Sequence, residues 1–133
     1  MEIKVSDEIY NFHLALDEWT PVAGHEIKVG DFKFSATPVD GNIIILEVTS
    51  GVIIKKMPLD MMVLLLTSTK ENTIIYLRDV VGETLRNGLE NDEKASQKIE
   101  DMRMKSIERL GDMPPIYEVD FNQMLEPNSI HLH

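Results

Sequence analysis

The 133-residue sequence contains no cysteine. Disulfide bonds, thiolate zinc sites, iron–sulfur clusters and cysteine nucleophiles are therefore excluded, and the composition suits a reducing compartment. Long apolar runs are also missing, because the longest, residues 61–66, is far shorter than the about 20 residues of a membrane-spanning helix. Residues 1–8 have neither the basic nor the apolar region of a secretory signal. We therefore expect a cytoplasmic protein that does not bind membranes.

Basic residues are scarce as well. Thirteen lysines and arginines stand against 23 aspartates and glutamates, which leaves a formal charge of −10. Such an excess of negative charge opposes binding to nucleic-acid phosphates and to anionic membranes. Residues 1–20 carry five acids and one base, and residues 112–133 carry four acids and no base. We expect no direct nucleic-acid binding, and the acidic surface favours either a basic protein partner or simple solubility.

Motifs for catalysis and phosphate binding are absent too. The seven glycines form neither a dinucleotide-binding loop nor a P-loop, and no serine lies in a nucleophile-elbow motif. The four histidines lack the close spacing to other ligands that is typical of metal sites. These absences favour a non-enzymatic protein without a cofactor or metal, although they leave enzymatic activity open.

The N-terminal half combines one predicted helix with a run of predicted strands. Over residues 6–19 the apolar residues are spaced three and four apart, and Ser6 or Asp7 can cap the first turn, which predicts an amphipathic helix. Over residues 24–57 the apolar period becomes two, and turn pairs such as Asp-Gly interrupt it, which predicts about four antiparallel strands. Residues 43–49 are apolar on both faces, so we expect their strand to be central.

The second half is predicted to be mostly helical, with two ambiguous segments. Residues 59–67 fit either a short helix or a further strand, and we favour the helix. Residues 72–89 fit a helix, although residues 73–78 are β-branched and aromatic enough for an edge strand. Residues 90–110 are rich in helix formers and lack internal glycine and proline, which predicts a long helix ended by Gly111.

Together these elements predict a single α+β domain. We expect an antiparallel meander sheet of four to five strands, with the N-terminal helix packed on it and the long C-terminal helix closing the core. Alternation over residues 117–121 allows one more edge strand. A chain of 133 residues can bury its own core. We assign residues 1–128 to the domain and residues 129–133 to a frayed tail.

Two groups of side chains are candidates for ligand binding. They are His13, Asp17 and Trp19 in the first group and Lys33, Lys55 and Lys56 in the second. His13 and Asp17 would share one face of the predicted helix, as a general-base pair or metal ligands do, and an ion pair is the alternative. The lysines lie on adjoining predicted strands, where they would either bind an anionic ligand or keep a sheet edge in solvent.

Methionine is abundant, with eight among 133 residues. On the predicted helix over residues 90–110, Met102 belongs to a core-facing stripe, whereas Met104 and Ile107 lie about 60° to 120° beyond its edge. Exposed apolar neighbours at a spacing of three indicate contact with a partner, and methionine suits adaptable contacts. We therefore predict that Met102, Met104 and Ile107 contribute to an oligomer interface.

These observations favour a small acidic interaction protein that is non-enzymatic, cytoplasmic and homo-oligomeric. Its role would be regulatory, inhibitory or assembly-related, as for many small accessory or viral proteins. The alternative is a protein that binds a small molecule or nucleotide, or a small enzyme, with its pocket between subunits. Converging polar side chains in the best pocket would favour this alternative, whereas a wholly apolar lining would favour the first hypothesis.

Overall fold

The computed structural model describes residues 1–119. Over this range the strands are β1 (Ile3–Ala15), β2 (Trp19–Val29), β3 (Phe32–Val39), β4 (Asn42–Glu47), β5 (Val52–Pro58) and β6 (Tyr117–Glu118). The α-helices are α1 (Met61–Leu66), α2 (Lys70–Tyr76), α3 (Glu83–Glu90) and α4 (Ala95–Leu110), and a π-helical segment, Leu77–Gly82, joins α2 to α3. The predicted tail over residues 129–133 lies outside the described residues.

The strands form one antiparallel sheet in the order β5-β4-β3-β2-β1-β6. The predicted α+β class and the antiparallel meander, which comprises β1 to β5, are therefore confirmed. The sheet has six strands instead of the predicted four to five, because β6 pairs with the free edge of β1. The glycines at the three turns between β2 and β5, Gly30, Gly41 and Gly51, have positive φ, which other residues adopt only with strain. β4 lies between β3 and β5, and all residues from 43 to 48 are buried, as expected for a strand that is apolar on both faces.

The sheet curls until its first and fifth strands meet. The Ala15 backbone N–H at the end of β1 donates to the carbonyl of Gly51, just before β5, at 2.9 Å. Side chains from β1 to β4 and the turn after β4 fill the inside of the curl and are at most 5% exposed: Phe12, Leu14, Val22, Val39, Ile44, Leu46 and Val48. The result is a partly closed barrel with its own apolar interior.

The helical segments from α1 to α3 cover the outer face of this sheet. Tyr76, Leu77 and Val81, from the end of α2 and the π-helical segment, are buried in a second apolar cluster with β-strand side chains such as Ile27 and Ile45. A Cβ on Gly82 would lie 2.7 Å from a methyl carbon of Ile3, so a glycine allows the helix to approach the sheet here. The molecule therefore has two apolar layers, one inside the curl and one between the sheet and the helices. Over the described range, the long helix α4 contributes no side chain to either apolar cluster, so the prediction that it closes the core is wrong.

The predicted N-terminal helix over residues 6–19 is wrong. This segment forms β1 and the loop that leads into β2. Phe12 and Leu14 alternate with more polar neighbours and are completely buried inside the curl, which is the period of two expected for a strand. Pairing with β2 along most of its length outweighs the weak helical preference of the segment.

A bulge in β1 explains why the strand pattern was hidden. The register of β1 against β2 shifts between Val5 and Ile9, which interrupts the alternation of apolar residues. Ser6, predicted as a helix cap, donates through its hydroxyl to the Glu8 carbonyl at 2.7 Å and accepts from the Glu26 N–H at 2.8 Å. Serine satisfies backbone groups in both caps and bulges, so its presence did not distinguish them.

The predicted helices in the second half are largely confirmed. Residues 59–67 contain α1. Residues 72–89 are helical throughout and comprise most of α2, the π-helical segment and most of α3. The long helix begins at Ala95 instead of residue 90, because Asp92 accepts from the Lys94 N–H at 2.9 Å and closes a turn before it. Gly111 ends the helix with a φ of +80°, as predicted.

Candidate functional site

Over residues 1–119, most of the exposed large apolar side chains lie on α1, α2 and the π-helical segment. Seven large apolar side chains there are between 45% and 72% exposed, and we call this surface the α1–α2 face: Met61, Met62, Leu64, Leu65, Leu66, Ile75 and Val80. Apolar patches of this kind are uncommon on monomeric soluble proteins and mark interaction sites. The α1–α2 face is therefore the candidate functional site.

Capping interactions hold α1 in place although none of its residues is fully buried. The Asp60 carboxylate accepts from the Val63 N–H at 2.9 Å, and the Thr67 hydroxyl donates to the Val63 carbonyl at 2.7 Å. Leu59 and Val63 pack against the cluster between sheet and helices. Because α1 is apolar on all sides and only one side meets the sheet, its remaining side chains face solvent.

A hollow of about 240 Å³ lies in the middle of the α1–α2 face. It is lined by Leu65, Leu66, Asn72, Ile75, Tyr76, Asp79 and Val80. Burial raises the pKa of the Tyr76 hydroxyl, and the nearby Asp60 carboxylate raises it further, so this hydroxyl stays protonated at neutral pH. The hollow is thus mainly apolar, and it contains no converging set of polar groups that would indicate catalysis.

One ion pair lies at the edge of the hollow. Arg78 Nε is 2.8 Å from Asp79 Oδ1. Hydrogen bonding to Arg78 lowers the pKa of the Asp79 carboxyl, and the same bond raises the pKa of the guanidinium. Both groups remain charged at neutral pH and neutralise one another, and α1 itself carries no charged residue. The α1–α2 face therefore has little net charge, in contrast to the −10 of the whole chain.

His13 and Trp19 bind a different part of the chain. Residues 111–119, which we call the C-terminal strap, run along β1. His13 Nε2 lies 3.1 Å from the Pro115 carbonyl, and Trp19 Nε1 donates to the Gly111 carbonyl at 3.2 Å. Asp17 lies exposed in the loop between β1 and β2. Because β1 is a strand, His13 and Asp17 do not share a helix face, and His13 fastens the C-terminal strap.

We predict that the C-terminal strap is held more tightly in mild acid than at neutral pH. The neighbouring Glu8 carboxyl raises the pKa of Glu118 by hydrogen bonding and by repulsion. Because the pKa of Glu118 is higher when the strap is docked, docking is favoured at a pH below the ordinary pKa of glutamate. This contribution is lost as the pH rises through the raised pKa of Glu118. The Val119 N–H donates to the Ile9 carbonyl at 2.8 Å, so its hydrogen-exchange protection factor should fall towards neutral pH.

Glu118→Gln is the variant that tests this explanation. Without the second carboxyl, protection of the Val119 amide should no longer decrease between mild acid and neutral pH, while amides of β4 serve as an internal reference. Greater protection of Val119 at neutral pH in the unmodified chain would contradict the prediction.

The three lysines of the predicted basic spot do not lie together. Lys33 pairs with Lys28 on β2, which in turn pairs with Lys4 on β1. Lys55 and Lys56 lie on β5, two strands away from Lys33. Their counterparts on β3, reached through β4, are Ala36 and Thr37. The anionic-ligand hypothesis for Lys33, Lys55 and Lys56 stays a prediction, without a shared site to support it.

The predicted interface on α4 exposes fewer apolar side chains than the α1–α2 face does. Met104 is 53% exposed, whereas Met102 and Ile107 are half-buried. Met102 lines a groove between α4, α3 and the sheet, together with Ile54 and Ile99. The role of Met102, Met104 and Ile107 in an oligomer stays a prediction, and it is the alternative to an interface on the α1–α2 face. The sequence signal that could have located the α1–α2 face was residues 61–66, the longest apolar run, from which only a short helix or a strand was predicted.

The described part of the chain offers neither a metal-binding cluster nor a membrane-spanning helix. Over residues 1–119, no group of three or more histidine, aspartate or glutamate side chains is placed to hold a metal ion. No helix in that range is long and apolar enough to cross a membrane. The chain matches no protein-family model, and neither a curated protein nor a solved structure is significantly similar to it.

Proposed function

We propose that this protein is a small, non-enzymatic interaction protein that acts as a homo-oligomer, and that its copies dock through the α1–α2 face. The observation that carries the proposal is that seven large apolar side chains on α1, α2 and the π-helical segment are exposed, and that four of them line one hollow. Full burial of one leucine or methionine side chain contributes about 1.5–3 kcal/mol. Partial burial of several of them is sufficient for a stable contact.

A second copy of the chain is the occupant that fits best. In a two-fold contact the same surface is used by both copies, so each favourable interaction occurs twice and both apolar faces are covered at once. Two chains of charge −10 repel one another, and the uncharged α1 is where they approach at least electrostatic cost. Met61 and Met62 adapt their shape easily to such a self-complementary contact.

The proposed role is regulatory, inhibitory or assembly-related, in the cytoplasm. Docking through the α1–α2 face leaves the acidic surface of each copy exposed. That surface would attract a basic protein partner and repel nucleic acid. The apolar lining of the hollow in the α1–α2 face also favours an interaction role over catalysis, because it offers no acid, base and nucleophile in mutual contact.

Light scattering on a sizing column tests the proposal. We expect a mass that is a multiple of 15.2 kDa and that decreases on dilution, as mass action requires. A mass of one chain at every concentration would contradict self-association. In that case, co-sedimentation with vesicles of uncharged lipid would assign the α1–α2 face to a membrane surface instead.

A further inference from the structure

A second cavity, separate from the α1–α2 face, lies between the sheet and the helices. Its volume is about 250 Å³. The residues that line it are Ile9, Ala23, Gly24, His25, Ala36, Pro38, Ile43, Leu59, Thr67, Thr73 and Leu77. Among these described lining residues none is charged. We call this cavity the inner recess.

Small residues on the sheet create the inner recess. Ala23 and Ala36 lie at positions on β2 and β3 where larger apolar side chains would fill the space. The two threonines on the helical side already donate their hydroxyl protons within the α1–α2 turn. Thr67 donates to the Val63 carbonyl at 2.7 Å, and Thr73 donates to the Thr69 carbonyl at 2.8 Å. The threonines therefore close the recess without offering a free proton to a ligand.

His25 provides the inner recess with a hydrogen-bonding group for a ligand. Its Nδ1 lies 2.8 Å from the Ser6 carbonyl. A carbonyl oxygen only accepts hydrogen bonds, so Nδ1 carries the proton and Nε2 of the neutral ring is an acceptor. The other described residues make no hydrogen bond with this Nε2. The Ser6 hydroxyl bonds Glu8 and Glu26 at the bulge, which holds in place the Ser6 carbonyl that His25 contacts.

We infer that the inner recess binds a small, uncharged, mainly apolar molecule with one hydroxyl group, of the size of a phenol. An apolar cavity of about 150 Å³ is large enough to bind benzene, so a volume of 250 Å³ accommodates a substituted ring. The absence of charged lining residues disfavours an ionic ligand, because its desolvation would not be compensated. The ligand hydroxyl donates a hydrogen bond to His25 Nε2. The recess therefore prefers a ligand that has one hydrogen-bond donor.

Titration with phenol and with toluene, followed by protein NMR, tests this inference. Both probes should saturate and shift amides of β2, β3 and α2. His25→Phe keeps a ring but removes the acceptor, so it should weaken phenol binding about three- to tenfold, the usual contribution of one hydrogen bond. Toluene binding should change much less. Comparing the effect of the substitution on phenol with its effect on toluene cancels the difference in hydration between the two probes.

Two further variants locate the bound probe. Ala36→Leu should fill the recess and abolish binding of both probes, and Ala23→Val serves the same purpose if Ala36→Leu does not fold. Leu65→Asp alters the hollow of the α1–α2 face and should leave phenol binding unchanged. The inference is overturned by non-saturable binding, by equal phenol affinity in His25→Phe, or by loss of binding in Leu65→Asp alone. None of these results depends on whether the protein self-associates.

Discussion

Leu65→Asp is expected to convert the oligomer into a monomer. Leu65 is 63% exposed in the single chain and lines the hollow in the α1–α2 face. A carboxylate there would lose the apolar contact and would be desolvated without a partner. In a two-fold contact the change occurs twice, so a loss of about 1.5–3 kcal/mol per copy weakens the dimer at least hundredfold. Light scattering and sedimentation should then report the mass of one chain.

The matched control for this experiment is Met104→Asp on α4. Met104 is also a large, exposed apolar side chain, at 53%, and it belongs to the interface predicted from the sequence. The oligomer should survive this substitution, and the far-UV circular dichroism of both variants should match the unmodified chain, because exposed substitutions cost little stability. If Met104→Asp or Ile107→Asp dissociates the oligomer and Leu65→Asp does not, the interface is on α4 and our assignment to the α1–α2 face is wrong.

Gly51→Val should cause the largest loss of folding stability. Gly51 has a φ of +68°, and a Cβ at this position would lie 2.5 Å from the His13 carbonyl oxygen and 2.9 Å from the Ala15 nitrogen. The substitution therefore strains the backbone and pushes apart the two strands that the Ala15–Gly51 hydrogen bond joins. We expect a loss of about 3–5 kcal/mol in the free energy of unfolding, out of a total of about 5–15 kcal/mol. Urea denaturation of the variant and of the unmodified chain measures this loss.

Gly41→Ala separates the effect of backbone strain from the effect of steric crowding. Gly41 has a φ of +76°, but nothing lies within 4 Å of the position of its Cβ. This variant should therefore lose only the about 1–2 kcal/mol that a side chain costs in the left-handed conformation. Gly51→Ala, compared with Gly41→Ala, then measures the crowding between β1 and β5 alone. Equal losses in these two alanine variants would show that crowding between β1 and β5 adds nothing to the cost of the left-handed conformation, which would contradict the prediction for Gly51→Val.

Local patterns were sufficient to predict much of the fold. The Asp40-Gly41 turn and the alternation around Phe34 identify β3 and its neighbours, since a hairpin sets its own register over a few residues. Gly111 predicted the end of α4 for the same local reason. β1 was missed because its pairing with β2 spans a bulge, and because the burial of Phe12 depends on β4, which lies far away in the sequence.

The candidate site was harder to predict, because exposure is a property of the whole fold. Residues 61–66 are equally apolar, and only packing decides that Val63 turns towards the sheet while Leu65 faces solvent. The pattern of residues 59–67 predicts a short helix, but it does not indicate which of its side chains are exposed. His25 shows the same dependence, because its available nitrogen is determined by a carbonyl 19 residues away in the sequence.

The π-helical segment makes the number of residues between α2 and α3 important, independently of their identity. Its hydrogen bonds span five residues instead of four, so this turn contains an additional residue. The π-turn absorbs this residue, so the residues after it keep the orientation that they would have in an unbroken α-helix one residue shorter. Leu85 and Leu89, which pack against the cluster on the sheet, would therefore still face it if one residue were removed and the turn became α-helical. Removing two residues would rotate α3 by about 100° relative to α2 and turn both side chains away. The segment can therefore lose one residue, but not two, without losing the contacts of α3 with the sheet.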